Sequence, residues 1–365
     1  MPNRDQASFD AGAAEHAPVQ PNRFETLDGM RGIAAFVVIL GHFSLFHAPM
    51  WIPHLAYLAV DLFFVLSGFV LAYNYDKQFA DGLKPSKFML MRARRLFPLF
   101  YIGLLVSVFT IPMLHMGDPL RWCVTLLANL LLLPGAYPGY LFPLDVPAWS
   151  LFFEFWVANL SFALCWRWLH GRRLIAFLCL SYLGIVASVL HTGWLNLGGY
   201  YSNLLYGVPR TFFSFFAGVW VARHYWRHKP KFRIPQELIG LAMLAVFCDN
   251  FRPRATSVQL LSVLILFPAL VYFGAIAEKK HSFIMEWLGD ASYGAYTLHW
   301  PILIGLSTLI LSRHWTVNWE LEFAFAIFMM ILAHVAHRFL DVPIRSWVAR
   351  KWPLKRRSYA RTLVA

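Results

Sequence analysis

Runs of some twenty apolar residues recur along the whole chain, near 31–47, 56–75, 96–114, 148–168, 173–190, 203–224, 236–250, 256–277, 292–312 and 320–340. A helix rises 1.5 Å per residue, so about twenty such residues cross the ~30 Å hydrocarbon core of a bilayer while satisfying their own backbone polar groups. The pattern predicts an all-α integral membrane protein built as a bundle of about ten transmembrane helices. The run 236–250 is the shortest. Composition agrees, with 59% hydrophobic and 14% charged residues, against about 25% charged in soluble proteins.

The net charge of +13 does not point to nucleic acid. Most Lys and Arg fall in short clusters between the apolar runs, where they set topology and meet anionic lipid or an anionic ligand. Basic connections occupy 77–95, 167–173, 223–233 and 278–281, and the tail after Arg338 is also basic, whereas 48–55 and 191–202 carry no Lys or Arg. A further apolar run, 120–133, decides whether these clusters share a side. If it is re-entrant or interfacial, all of them face the cytoplasm by the positive-inside rule; if it crosses, the later ones flip. The expectation is therefore that it does not cross, that both termini are cytoplasmic, and that Arg252 and Arg254 are minor exceptions outside.

Residues 1–22 are polar and lack an apolar signal-peptide core, so they read as a disordered cytoplasmic tail. Residues 23–345 form one membrane domain, and 346–365 a basic cytoplasmic tail. Cys123, Cys165, Cys179 and Cys248 stand singly in apolar stretches, as small packing residues rather than disulfide or zinc partners.

Ionisable residues are costly in a bilayer and tend to be functional there. Arg31 and His42 lie eleven positions apart in one run, which is about three helical turns, so they share a face with roughly 16 Å between them. A snorkelling Arg and a packing His would give the same pattern. Asp61 begins the next run and could orient His42 as an acid orients the base of a triad, or cap a helix facing water. Arg92 and Arg95, three apart, present two guanidinium forks on one helix face, either a phosphate clamp or a topology anchor. Glu154, in Trp149-Ser150-Leu151-Phe152-Phe153-Glu154, is the only acid in a long aromatic-rich run. It could position an acceptor hydroxyl, serve as an acid or base, or pair with a membrane Arg such as Arg210. His299 precedes Pro301 in a helix the proline can kink, and could line the same cavity or simply pack. His334 and His337 suggest no third ligand, and no metal site is expected.

Taken in order, Leu27-Asp28-Gly29-Met30-Arg31-Gly32 with His42, Asp61–Phe69, Arg92-x-x-Arg95, Trp149-Ser150-Leu-x-x-Glu154, and Gly289-x-x-Ser292-Tyr293 through His299-Trp300-Pro301 resemble the acyltransferase type 3 family of integral membrane acyltransferases. The resemblance covers about 25–345 and is to single-domain members without an SGNH-type domain. One departure is Asp341-Val342-Pro343, where the family pattern has a Glu.

The resemblance implies transfer of an acyl group, often acetyl, from cytosolic acyl-CoA to a hydroxyl of an envelope carbohydrate or lipid-linked glycan, in a bacterial inner membrane. On this reading Arg31, Arg92 and Arg95 bind the phosphates of acyl-CoA. His42 is the general base or a transient acyl carrier, Asp61 and Glu154 support catalysis, and Trp149, Tyr293 and His299 contact substrate. The rival classes are a transporter or flippase for a polar or anionic substrate and a catalytically silent scaffold.

Overall fold

A computed structural model describes residues 24–46, 55–111, 118–228, 230, 232–247, 256–278 and 281–353. The tail 1–22, the exceptions Arg252 and Arg254, Cys248, and most of the C-terminal tail lie outside the described residues. The described chain is an all-α bundle: α1 (Glu25–Phe46), α2 (Ala59–Ala80), α3 (Pro85–Thr110), α4 (Pro119–Leu130), α5 (Ala148–Cys165), α6 (Gly171–Thr192), α7 (Leu204–Arg227), α8 (Gln236–Phe247), α9 (Thr256–Ala275), α10 (Phe283–Arg313) and α11 (Trp319–Lys351). Among the described residues nine helices are long and apolar enough to cross a membrane. The tenth expected span is α8, whose 12 described residues rise only about 18 Å.

The run 120–133 does not cross. It forms α4, capped at its start by the Asp118 carboxylate, which accepts from the amides of Leu120 and Arg121. Its far end meets α3 and α5 part-way down: Tyr101 donates to the Leu130 carbonyl and the Trp156 indole to that of Leu131. These contacts lie about 12 Å below the helix ends. The chain then turns through Leu132, a non-glycine residue at φ 53°, and returns to the end it came from. There its loop pairs with the one before α7, as Leu141 donates to Gly199 and Tyr201 to Gly139. The hydroxyl of Tyr201 also closes on the Gly135 carbonyl.

Small residues let the helices that carry the polar groups approach closely. A Cβ on Gly68 of α2 would collide with the Phe215 carbonyl of α7, and one on Gly218 of α7 with the Val65 carbonyl of α2. At Gly32 of α1 a Cβ would meet the backbone of Leu288 in α10. That close approach sets Arg31 beside Ser292, and His42 beside His299 at the other end of the same helix pair.

Candidate active site

The two halves of the Arg31–His42 pair serve different ends of the bundle. At the Arg31 end, α1, α2, α3, α5, α10 and α11 enclose a cavity of about 410 Å³. Arg31 donates to Asp28 (2.7 Å) and, through Nε, to the Ser292 hydroxyl (2.8 Å). Arg92 donates to Glu154 Oε1 (2.9 Å), which also accepts from Ser67 (2.7 Å). Arg345, reaching in from α11, pairs with Asp341 at 2.6 Å, and His337 bridges from Asp341 (3.1 Å) towards Asp290 (3.9 Å).

Three of the four cavity guanidiniums thus already hold a carboxylate. Arg95 is exposed to the cavity and, among the described residues, makes no ion pair. Arg92 Nε and Arg345 Nε are buried donors with no hydrogen-bond partner. An unmet donor beside an unpaired cation is an arrangement that an anion with several oxygens completes.

Two departures from regular helix shape this wall. The π-helical turn Phe153–Asn159 carries Glu154, and the turn His337–Asp341 carries His337 and Asp341. A π turn shifts the helix register, and such turns are frequent at functional sites. Here they turn three ionisable side chains to the cavity.

The cavity's end wall, one turn further along α2, α5 and α10, includes Phe63, Ser150 and Tyr296. The Tyr296 hydroxyl donates to the Pro147 carbonyl (2.8 Å) and shares a 2.5 Å hydrogen bond with Ser150. Its ring lies 6.0 Å from that of His299, and His299 Nε2 is 2.8 Å from His42 Nδ1. The two imidazoles lie edge to edge and nearly coplanar, with centroids 5.1 Å apart and 10° between planes, and Trp300 meets His42 edge-on at 5.3 Å. His42 stands behind this wall and does not line the cavity.

Several expected residues sit elsewhere than the sequence suggested. Asp61 does not orient His42. Its carboxylate receives the guanidinium of Arg210 (2.7 Å at the shortest) and the Ser214 hydroxyl (3.0 Å). Both side chains of this ion pair are buried, 1% and 0% exposed, and a carboxylate so desolvated needs a full counter-charge. Arg210 also donates to the carbonyls of Leu197 and Tyr57, tying the loop before α7 to the start of α2.

Glu154 therefore pairs with Arg92 rather than with Arg210. Trp149 is buried with its ring 5.6 Å from the Arg210 guanidinium, packed under Gly198, and does not line the cavity. Tyr293 does line it, with its hydroxyl donating to the Leu96 carbonyl (2.6 Å). Asp28 and Ser292 stand in the quoted motifs without an assigned role, and Tyr296 and Arg345 were not singled out from sequence. Arg345 was findable, since it stands one turn after Asp341 and pairs with it.

Among the described residues no group of His, Cys, Asp and Glu is placed to hold a metal ion. The sequence from 24 to 339 matches the family model described as an acyltransferase domain. The chain belongs to that family. It is an integral membrane acyltransferase. A Rhizobium radiobacter protein named protein 2 in picA locus is 38% identical over 188 residues, 47% of this acyltransferase and 94% of that protein. The peptidoglycan O-acetyltransferase OatA of Listeria monocytogenes is 25% identical over 356 residues, 88% of this chain and 55% of that one. YrhL of Bacillus subtilis is 25% identical over 361 residues, 88% and 54% respectively. The acyltransferase thus spans about half the length of these last two relatives. No solved structure matches it.

Proposed function

We propose that this acyltransferase takes its acyl group, acetyl in the simplest case, from acyl-CoA and gives it to a hydroxyl of an envelope carbohydrate. The observation that carries the donor is Arg95, an unpaired guanidinium exposed to a cavity with two further unmet guanidinium donors. The phosphates of CoA would bind there, on Arg95 first, with Arg31, Arg92 and Arg345 exchanging part of their carboxylate contacts. The donor end would face the cytoplasm, where acyl-CoA is made.

The extended pantetheine arm runs up the cavity towards Tyr296. Because His42 lies roughly 16 Å beyond Arg31 along α1, a long thin arm suits the distance better than a compact donor would. Tyr296 and His299 stand between the cavity and His42, so the thioester reaches the base only when the arm passes Tyr296.

His42 then acts as general base. The acceptor oxygen bonds to the acyl carbon, the carbon–sulfur bond breaks, and the hydroxyl proton passes to His42 and on to the leaving thiolate. Glu154 holds Arg92 and Ser67 in the donor wall, and Asp61 acts through Arg210 on the outer loops. A carbohydrate acceptor is supported by the two relatives of the longer alignments, one named as a peptidoglycan O-acetyltransferase and the other as a putative one.

Calorimetric titration of the nanodisc-embedded protein with CoA tests the donor assignment. Binding that weakens about tenfold or more in Arg95→Ala supports it, and no binding of CoA or of any acyl-CoA overturns it.

A further inference from the structure

The hydrogen bonds around His299 determine which nitrogen of His42 is free to take a proton. His299 is fully buried, and its Nδ1 lies 2.9 Å from the carbonyl oxygen of Ala295, one turn earlier in α10. A carbonyl oxygen only accepts, so His299 Nδ1 carries the proton. In a neutral imidazole the other nitrogen is then an acceptor. That nitrogen, Nε2, is 2.8 Å from His42 Nδ1, so His42 must donate from Nδ1. Its Nε2 is left with a lone pair and no proton.

We infer that His299 is a positioning residue for His42: the chain Ala295 carbonyl–His299–His42 fixes His42 in its Nδ1–H tautomer and presents Nε2 as the base. This rests on the reading of His42 as the general base and specifies the atom that acts. Histidine in water favours the opposite tautomer, with the proton on Nε2, so an unassisted His42 would mostly offer the wrong nitrogen.

The relay differs from a Ser-His-Asp triad in one physical respect. An acid behind the histidine would stabilise the imidazolium that forms as the base takes its proton. Asp61, the acid expected in that role, is committed to Arg210. A neutral imidazole in its place can still accept the Nδ1 proton and hold the ring, and it brings no charge into an apolar region. The near-coplanar rings suit an in-plane hydrogen bond, and Trp300, edge-on to His42, holds that ring further.

The test uses the full-length protein in nanodiscs with its histidines labelled with 15N and 13C, the His42 signals being assigned by their loss in His42→Gln. The expected spectrum has a protonated, pyrrole-type Nδ1 and a pyridine-type Nε2 on His42. His299→Phe keeps an aromatic ring but removes the acceptor, and should move the His42 proton to Nε2. It should lower kcat about 100-fold, at the modest end of general-base contributions, with the donor KM unchanged within twofold. His299→Gln, whose side-chain oxygen can replace the Nε2 acceptor, should restore the Nδ1–H tautomer and most of kcat.

A His42 protonated on Nε2 in the unaltered protein overturns the inference, as does a His299→Phe protein with full kcat. Should the tautomer be as stated while His42→Ala remains fully active, the relay stands and the assignment of His42 as base falls.

Discussion

Arg92 and Glu154, 62 positions apart in the chain, form a 2.9 Å ion pair in the wall of the cavity, and the same carboxylate oxygen accepts from Ser67. The pair joins α3 to the π-helical turn of α5. It also means that Arg92 is not a ready phosphate ligand, because a carboxylate already occupies one face of its fork. Glu154→Gln removes the competing charge while leaving an oxygen for Ser67. We expect CoA to bind this variant about tenfold more tightly, equivalent to ~1.4 kcal/mol, as measured by calorimetry. Unchanged or weaker binding would mean that Glu154 does not compete with the donor for Arg92.

Arg95 has the opposite status, with no carboxylate to release. Arg95→Ala should raise the donor KM about tenfold or more with kcat little changed, since it removes binding common to ground and transition states. Arg95→Lys should recover only part of that loss, because an ammonium lacks the bidentate fork. The effect should shrink at high salt, by screening of the exposed charge. A fall in kcat with unchanged donor KM would place Arg95 elsewhere in the cycle.

Asp61 and Arg210 act on the fold. Truncating either one leaves the other buried and uncompensated, a loss of about 3–5 kcal/mol by analogy with other buried pairs. Asp61→Ala and Arg210→Ala should therefore lower the unfolding temperature in detergent by similar amounts. The double replacement Asp61→Leu with Arg210→Met should recover part of it. If Asp61→Ala were as stable as the unaltered protein but inactive, a direct catalytic role for Asp61 would return.

Asp145 lies in the loop that returns from α4, outside the membrane-spanning helices. It is buried, its Oδ1 has no hydrogen-bond partner, and burial pushes its carboxyl well above the usual range. The folded state then binds the Asp145 proton more tightly than the unfolded chain does, so this group costs stability as pH rises above the unfolded carboxylate value of about 3.9. The cost grows until the folded-state value is passed and is constant beyond it. Asp145→Asn should unfold at a higher temperature than the unaltered protein at pH 7 to 8, and the gap should close as pH falls towards about 4. A gap independent of pH would remove the carboxyl from this account.

The membrane spans were legible because apolar length is a one-dimensional property, and the fate of 120–133 followed from where the basic clusters lie. The polar pairings were not, because each depends on which helix lies opposite. Arg210 reaches Asp61 across 149 positions and His299 reaches His42 across 257, and spacing along one helix says nothing of such partners. The triad analogy placed Asp61 beside His42 on residue type alone, whereas the cost of a buried carboxylate made the nearest arginine its partner. Pairing with a membrane arginine such as Arg210 was one of three readings open for Glu154, and with several arginines in the bundle the sequence could not choose Arg92. The π turns that aim Glu154, His337 and Asp341 leave no signal in residue type, while the Asp341–Arg345 spacing was plain and overlooked.

The most direct measurement is release of free CoA from acetyl-CoA by the purified protein in nanodiscs supplied with extracted envelope glycans, with His42→Ala run beside it. The account predicts release that depends on the glycan, accompanied by acetyl appearing on it, and the absence of both in a His42→Ala protein that still binds CoA. Glycan-dependent transfer at full rate by His42→Ala would contradict it.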